Sequence, residues 1–214
     1  MKSYQRTQPR RRTQDLPLVF RSLNSHGPSL RIIPVGGCEE VGRNMTIIEY
    51  GNDVIVIDMG LQFPEEDMPG IDYIIPNISY LLPKRQHIRG IIITHAHYDH
   101  IGGIPHLMPQ LGDRIPIYAT DLTCAIIQKR QEDYKHYGSK LNLNEIKNDT
   151  RIKLGIFDIE FFGVSHNVPG SVGVIVSTPE GIVVHTGDFK IDLKSDIAGR
   201  TEVEKIKALG RRNV

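Results

Sequence analysis

The sequence THAHYDHIGG, residues 94–103, places four potential metal ligands within six positions. With 9 histidines among 214 residues, the pattern HxHxDH should arise by chance in roughly one of a thousand such chains. A polar cluster without metal is the alternative interpretation, but it gives no reason for ligands at such short and regular spacing. The segment therefore predicts a metal site.

The ligand segment follows an apolar run at residues 89–94, which contains three consecutive isoleucines and is typical of a strand covered on both faces. In an extended segment leaving a strand, alternate side chains point to the same side, so His95 and His97 can bind one cation. Asp99 and His100 lie on the following turn and should face a neighbouring cation. Imidazole and carboxylate without thiolate suit Zn²⁺ best, and they also bind Mn²⁺ or Fe²⁺.

Short β-branched runs separated by turn residues dominate the chain from Ser29 onward. The predicted strands span residues 31–35, 45–50, 53–58, 89–94, 115–119, 152–162, 172–177 and 182–185. Gly51-Asn52 favours a hairpin between the second and third of these strands. Helices are predicted over 120–137 and 201–209. This mixture indicates an α/β (α+β) protein in which helices pack on the outer faces of a sheet sandwich.

The composition is that of an ordinary globular protein. Hydrophobic residues make up 39% of the chain and charged residues 24%, which excludes wholesale disorder and the fibrous classes. No apolar run approaches the roughly 18 residues of a membrane span, and we expect no membrane association. Two cysteines, Cys38 and Cys124, cannot build a disulfide framework, so we expect a cytoplasmic protein with reduced thiols. Both cysteines are expected to be buried, with a reactive thiol at Cys38 as the alternative.

Charge divides the chain at residue 29. Residues 1–29 contain six basic residues and one acidic residue, so they carry a net charge of +5, whereas residues 30–214 carry −4. The basic segment is also rich in Gln, Ser, Thr and Pro, so we expect a disordered tail followed by one domain over 30–214. We interpret the tail either as a solvated extension or as an arm that attracts RNA or a partner protein.

Further motifs occur in a fixed order around the ligand segment. HAHYDHIGG at 95–103 resembles the signature of the metallo-β-lactamase superfamily, whose other landmarks match Asp58, His166 and Asp188. Four segments resemble the ribonuclease J family of the β-CASP branch: IIPVGG at 32–37, VGRNM at 41–45, DMGLQFPEEDMPGIDYIIPNISYL at 58–81 and HTGDFKID at 185–192. The similarity covers nearly all of residues 30–214. The resemblance implies the αββα sandwich of the metallo-β-lactamase fold.

The resemblance implies six metal-binding side chains: His95, His97, Asp99, His100, His166 and Asp188. In this assignment the first two histidines and His166 bind one ion, Asp99 and His100 bind a second, and Asp188 bridges both. Asp99, His100 and Asp188 are also the implied catalytic residues. Asp58 is interpreted as a carboxylate that orients the ligand imidazoles, with a plain strand-end turn residue as the alternative.

The implied activity is that of a zinc-dependent ribonuclease, a phosphodiesterase that acts on RNA as a 5′-to-3′ exonuclease and as an endonuclease. A complete site holds two Zn²⁺ ions, with Mn²⁺ as a substitute, and a homo-oligomer like that of the family is a further expectation. Compared with the family, the sequence should hold the first half of the catalytic core without the β-CASP insertion. The alternatives are a truncated metal- and RNA-binding fragment without turnover, and a small-molecule metallohydrolase of the same superfamily.

Overall fold

The computed structural model describes residues 27–134, 140–192 and 202–212. Most of the tail predicted over 1–29 therefore lies outside the described residues, as do positions 135–137 and 201 of the two predicted helices. Within the described part, ten strands form two sheets, and α-helices accompany both of them.

The first sheet contains six strands in chain order: β1 (Leu30–Gly36), β2 (Met45–Tyr50), β3 (Asp53–Ile57), β4 (Ile88–Ile92), β5 (Pro116–Ala119) and β6 (Asn142–Glu145). Strands β1 to β3 pair antiparallel, and β3 to β6 pair parallel. Gly51 adopts φ +59° in the predicted hairpin turn, a conformation that glycine reaches without steric cost. Parallel pairing brings the carboxyl ends of β3, β4 and β5 to one edge of the sheet, where ligands commonly bind.

The second sheet is antiparallel, with the order β10-β9-β8-β7. Its strands are β7 (Arg151–Leu154), β8 (Phe157–Gly163), β9 (Val172–Thr178) and β10 (Gly181–His185). The β segment predicted over 152–162 is therefore a hairpin, because Gly155 turns the chain with φ +61°. Strand β6 was not predicted, since its sequence Asn-Leu-Asn-Glu has little β propensity and depends on pairing with β5.

Four α-helices lie in the described part: α1 (Tyr98–Ile101), α2 (Ile104–Leu111), α3 (Asp121–Gln131) and α4 (Val203–Leu209). Helix α3 stops at Gln131 and continues as a 3₁₀ turn, Glu132–Tyr134, whereas the sequence predicted a single helix. Another 3₁₀ turn, Leu82–His87, precedes β4. The helices described here are all too short or too polar to cross a membrane.

Alternating side chains on the strands divide the interior into layers. In β3, Val54 and Val56 pack with the side chains of α1 to α3, whereas Ile55 and Ile57 pack against the second sheet. This alternation follows from the two-residue period of a strand. On the far face of the second sheet, Ile175 packs with Leu209 of α4. The layer order is helix, sheet, sheet, helix, so the predicted αββα sandwich is confirmed.

The two cysteines occupy different environments. Cys124 is buried in the core between α3 and the first sheet, as predicted. Cys38 is exposed, so the expectation that it is buried was wrong. It lies in an irregular turn just after the edge strand β1.

Candidate metal centre

The predicted ligand segment leaves the carboxyl end of β4 and leads into α1, and main-chain contacts fix its path. The amide of Asn44 donates to the carbonyl oxygen of Asp99 at 2.9 Å, and the amide of Met59 donates to that of His100 at 2.8 Å. Gly60 approaches so closely that a Cβ atom there would lie 1.6 Å from the Asp99 carbonyl oxygen. The backbone of neighbouring segments therefore positions the ligand segment.

Three imidazoles converge at the end of the first sheet. His95 Nε2 lies 3.0 Å from His97 Nδ1, and His166 Nε2 lies 3.1 Å from the same atom. Ligand nitrogens on a tetrahedral zinc ion are about 3.3 Å apart, because each Zn–N bond is about 2.0 Å long. His95 is fully buried, whereas the other two imidazoles are partly exposed. The three nitrogens thus have the spacing that a single metal ion requires.

A second group of ligand atoms adjoins the three histidines. His100 Nε2 lies 3.5 Å from Asp99 Oδ2 and 3.5 Å from Asp188 Oδ1. The other oxygen of the same carboxylate, Asp188 Oδ2, lies 3.8 Å from His166 Nε2. Within each group the ligand atoms all lie within 4.8 Å of one another. Asp188 therefore presents one oxygen to each group, which is the arrangement of a bridging carboxylate.

Asp58 lies behind the ligands, with only 1% of its surface exposed. Its Oδ2 accepts a hydrogen bond from His100 Nδ1 at 2.8 Å, and its Oδ1 accepts one from the Thr94 amide at 2.8 Å. The Thr94 hydroxyl donates to Asp58 Oδ2 at 2.9 Å and accepts from His95 Nδ1 at 3.0 Å. Because a carboxylate only accepts, both histidines carry a proton on Nδ1. Each Nε2 atom is then directed toward the ligand groups.

The electrostatics differ sharply between two adjacent imidazoles. Burial, together with the neighbouring charge of His100, lowers the pKa of His95 to about 3. Burial acts in the same direction on His100, but the carboxylates of Asp58 and Asp188 overcome it and raise its pKa to about 10. The hydrogen bond from His100 lowers the pKa of Asp188 to about 2. Without a bound cation, His95 is neutral and His100 is protonated at neutral pH.

The structure brings all six predicted ligand side chains together and places Asp58 behind them. His185, predicted as a strand residue beside the site, is the last residue of β10 and lies close enough to Asp58 for an electrostatic interaction. Sequence reasoning missed Thr94 and Asn44, whose Nδ2 donates to Asp99 Oδ2 at 3.1 Å. Both lie inside segments that the sequence analysis singled out, but neither residue type is a distinctive partner of a metal ligand.

Curated proteins with similar sequences include ribonucleases J. Ribonuclease J of Thermus thermophilus is 41% identical over 167 residues, which cover 76% of this chain and 29% of that protein. Ribonuclease J 1 of Streptococcus pyogenes is 37% identical over 183 residues, which cover 86% of this chain and 32% of that protein. The chain thus spans about a third of the length of these curated relatives.

The fold also has counterparts among solved structures. The metallo-β-lactamase fold protein YhfI from Bacillus subtilis superposes with a TM-score of 0.50 at 21% identity, over 75% of this chain and 63% of that one. At this identity the likeness concerns the fold alone. The sequence profile of the Beta-lactamase superfamily domain matches residues 69–203, which include all six ligand side chains. From this match over more than half of its length, the chain belongs to the β-lactamase superfamily, and within it the sequence resembles ribonuclease J.

Proposed function

We propose that the chain is a metal-dependent ribonuclease of the ribonuclease J type, which processes and degrades RNA by 5′-to-3′ exonucleolytic and endonucleolytic cleavage. One observation carries this proposal: Asp188 turns one carboxylate oxygen to His100 and the other to His166. Paired cations about 3.5–4 Å apart recur in nucleases and phosphatases, and a shared carboxylate suits such a pair. The sequence similarity to ribonucleases J supports RNA as the substrate.

In this proposal His95, His97 and His166 hold one ion, and Asp99 and His100 hold the second, with Asp188 between them. The donor set fits, because nitrogen and carboxylate ligands at these separations suit Zn²⁺ and also accept Mn²⁺. The free thiols of Cys38 and Cys124 are consistent with the reducing cytoplasm, where we place the protein. Assembly into a homo-oligomer is part of the same proposal.

Each residue of the centre has a definable task in the hydrolysis of a phosphodiester. Bound metal ions would supply a water molecule of near-neutral pKa and neutralise phosphate charge. Asp188 holds the two ligand groups at a fixed separation, and Asp58 keeps the His100 ring turned toward the second group. The buried, neutral His95 keeps its lone pair available at physiological pH. Cleavage with this geometry would leave a 3′-hydroxyl group and a new 5′-monophosphate.

A second candidate function is metal and RNA binding without turnover. Among the described residues, the second ligand group has only two side chains of its own, Asp99 and His100, and borrows the third from the bridge. A weakly held second ion would leave the site able to bind an RNA phosphate but slow to cleave it. This candidate differs from the first in catalytic rate and not in location.

The test is cleavage of a short 5′-phosphorylated, 3′-labelled RNA by the zinc- or manganese-loaded chain. Wild type and the control His87→Ala, which changes a histidine outside the centre, should release 5′-mononucleotides. His97→Ala should bind less metal and leave the RNA intact. RNA that the wild-type chain binds but leaves intact would favour binding without turnover. Hydrolysis of a thioester or lactone in place of RNA would favour a small-molecule hydrolase.

A further inference from the structure

A cluster of aromatic and cationic side chains lies on the helical layer, and we call it the Tyr98 cluster: Tyr73, Tyr98, His106, Arg130 and Tyr134. The guanidinium carbon of Arg130 lies 4.1 Å from the ring centroid of Tyr98 and 5.3 Å from that of Tyr134. His106 stacks on Tyr73 at 4.3 Å and meets Tyr134 edge-on at 5.1 Å. Side chains from α1, α2 and α3 thus form one continuous surface.

Tyr98 joins this surface to the ligand segment. Tyr98 stands between two of the ligand residues, His97 and Asp99, and consecutive Cα atoms are about 3.8 Å apart. Although its backbone is part of the ligand segment, its side chain is 45% exposed. Arg130 covers part of the ring, so the exposed fraction belongs to the rest of its surface. An aromatic side chain is therefore open to solvent on the residue that lies between two of the ligand residues.

Arg130 carries a charge that no carboxylate neutralises within the described ranges 27–134, 140–192 and 202–212. Its Nε is buried without a hydrogen-bond partner, and its Nη2 donates only a long bond, 3.4 Å, to the Tyr134 hydroxyl. The preceding residue on α3, Lys129, instead pairs with Glu132 at 2.7 Å. Stacking on aromatic rings holds a guanidinium in place without neutralising it, and such a group is well suited to phosphate.

We propose that Arg130 and Tyr98 form a subsite for one nucleotide of a single-stranded RNA, next to the metal centre. The guanidinium binds a backbone phosphate that neighbours the scissile one, and the exposed part of the Tyr98 ring stacks on a base. Tyr134 and His106 hold the pair in place from behind. This inference rests on the proposed action on RNA, because stacking combined with phosphate pairing is how proteins bind single strands without sequence preference.

Fluorescence anisotropy of the full-length, zinc-loaded chain tests the subsite. The probe is a labelled oligouridine with phosphorothioate linkages, which resists cleavage during titration, and affinity is measured between about 50 and about 200 mM salt. Each phosphate contact contributes about 0.7 to the slope of log affinity against log salt for a single strand. Arg130→Gln should reduce the slope by about that amount, whereas the matched control Lys129→Gln on the same helix should change it less.

Two further variants separate charge from stacking. Arg130→Lys keeps the charge and should keep the salt slope. Tyr98→Leu should weaken binding at least about fivefold with little change in slope, because stacking on one base contributes about 1–3 kcal/mol. Zinc content and circular dichroism should match wild type in every variant. If Arg130→Gln and Lys129→Gln behave alike, the subsite is wrong. If wild type itself does not bind the probe, the proposed action on RNA fails first.

Discussion

The three-histidine group and the Asp99–His100 group share one carboxylate, but their buried histidines have different hydrogen-bond partners. The first consists of three imidazoles, of which His95 is fully buried and has a pKa of about 3. The second is centred on His100, whose contact with Asp58 keeps it protonated near neutral pH. His95 therefore presents a free lone pair, whereas His100 must release a proton before it can bind a cation.

This difference indicates that two adjacent sites need not be equally ready for metal. The carboxylate behind His100 fixes the ring, but in the absence of metal it also stabilises the competing proton. Thr94 gives His95 the same orientation through a neutral hydroxyl, which stabilises a proton far less. Both imidazoles are oriented before metal binds, but only His95 is free of a competing proton.

The largest effect should come from removing the carboxylate that the two groups share. Asp188→Asn keeps the shape of the side chain but leaves two facing cations without their common negative charge. We expect loss of metal from at least one group and a fall in cleavage rate of about a thousandfold, since such charge stabilisation is worth several kcal/mol. Metal analysis and RNA cleavage measure both effects, with Asp158→Asn, an exposed aspartate on β8, as the control.

Asp58→Asn should have a smaller effect, because Asp58 acts on the ligands and does not bind metal in our assignment. Asparagine tolerates the φ of +63° found at this position, so the change removes charge without straining the backbone. Loss of such a supporting partner typically weakens metal affinity about 10- to 100-fold. Competition with a chelator measures the metal affinity of each variant. A protein that loses more metal through Asp58→Asn than through Asp188→Asn would reverse the roles assigned to these two carboxylates.

Proton release should distinguish the two ions. After dialysis at neutral pH we expect about one zinc ion per chain, held by the three histidines. Binding of the second ion displaces the proton of His100, whose pKa Asp58 and Asp188 raise, so the affinity for this ion should rise as the pH increases above neutrality. His95 has no proton to lose in this range. Calorimetry in buffers of different ionisation enthalpy counts the protons, and equal release for both ions would contradict the comparison.

The smallest effect should come from Thr94→Val, which removes the hydroxyl between Asp58 and His95. The first ion should bind less tightly by no more than about tenfold, because the imidazole itself remains. The second ion should be affected less, since His100 contacts Asp58 directly at 2.8 Å. Thr94→Ser retains the hydroxyl and is the matched control. Chelator titration measures the affinity for each ion. A larger effect on the second ion than on the first would exclude a role for Thr94 in orienting His95.

The strand and helix pattern indicated a sheet sandwich with helices on its outer faces, and the HxHxDH motif indicated a metal site. The αββα class and the ligands His166 and Asp188 came from the resemblance to the metallo-β-lactamase superfamily. The sequence did not predict β6, whose polar residues become a strand only through pairing with β5. Asn44 was missed for a similar reason: its amide reaches Asp99 across 55 positions of sequence. Contacts of this kind depend on tertiary placement, which local patterns do not encode.

The close approach of Gly60 to Asp99 means that the position of the ligand segment is determined separately from the chemical identity of its side chains. Because hydrogen bonds from Asn44 and Met59 fix the carbonyl groups of Asp99 and His100, the path of the ligand segment depends little on its own side chains. A cysteine placed at a histidine position would thus change the preference for metals while the chain keeps its course. A methyl group at residue 60, by contrast, would overlap the Asp99 carbonyl oxygen and displace every ligand of the segment at once. For protein engineering, the metal-binding side chains can therefore be exchanged, whereas Gly60 cannot.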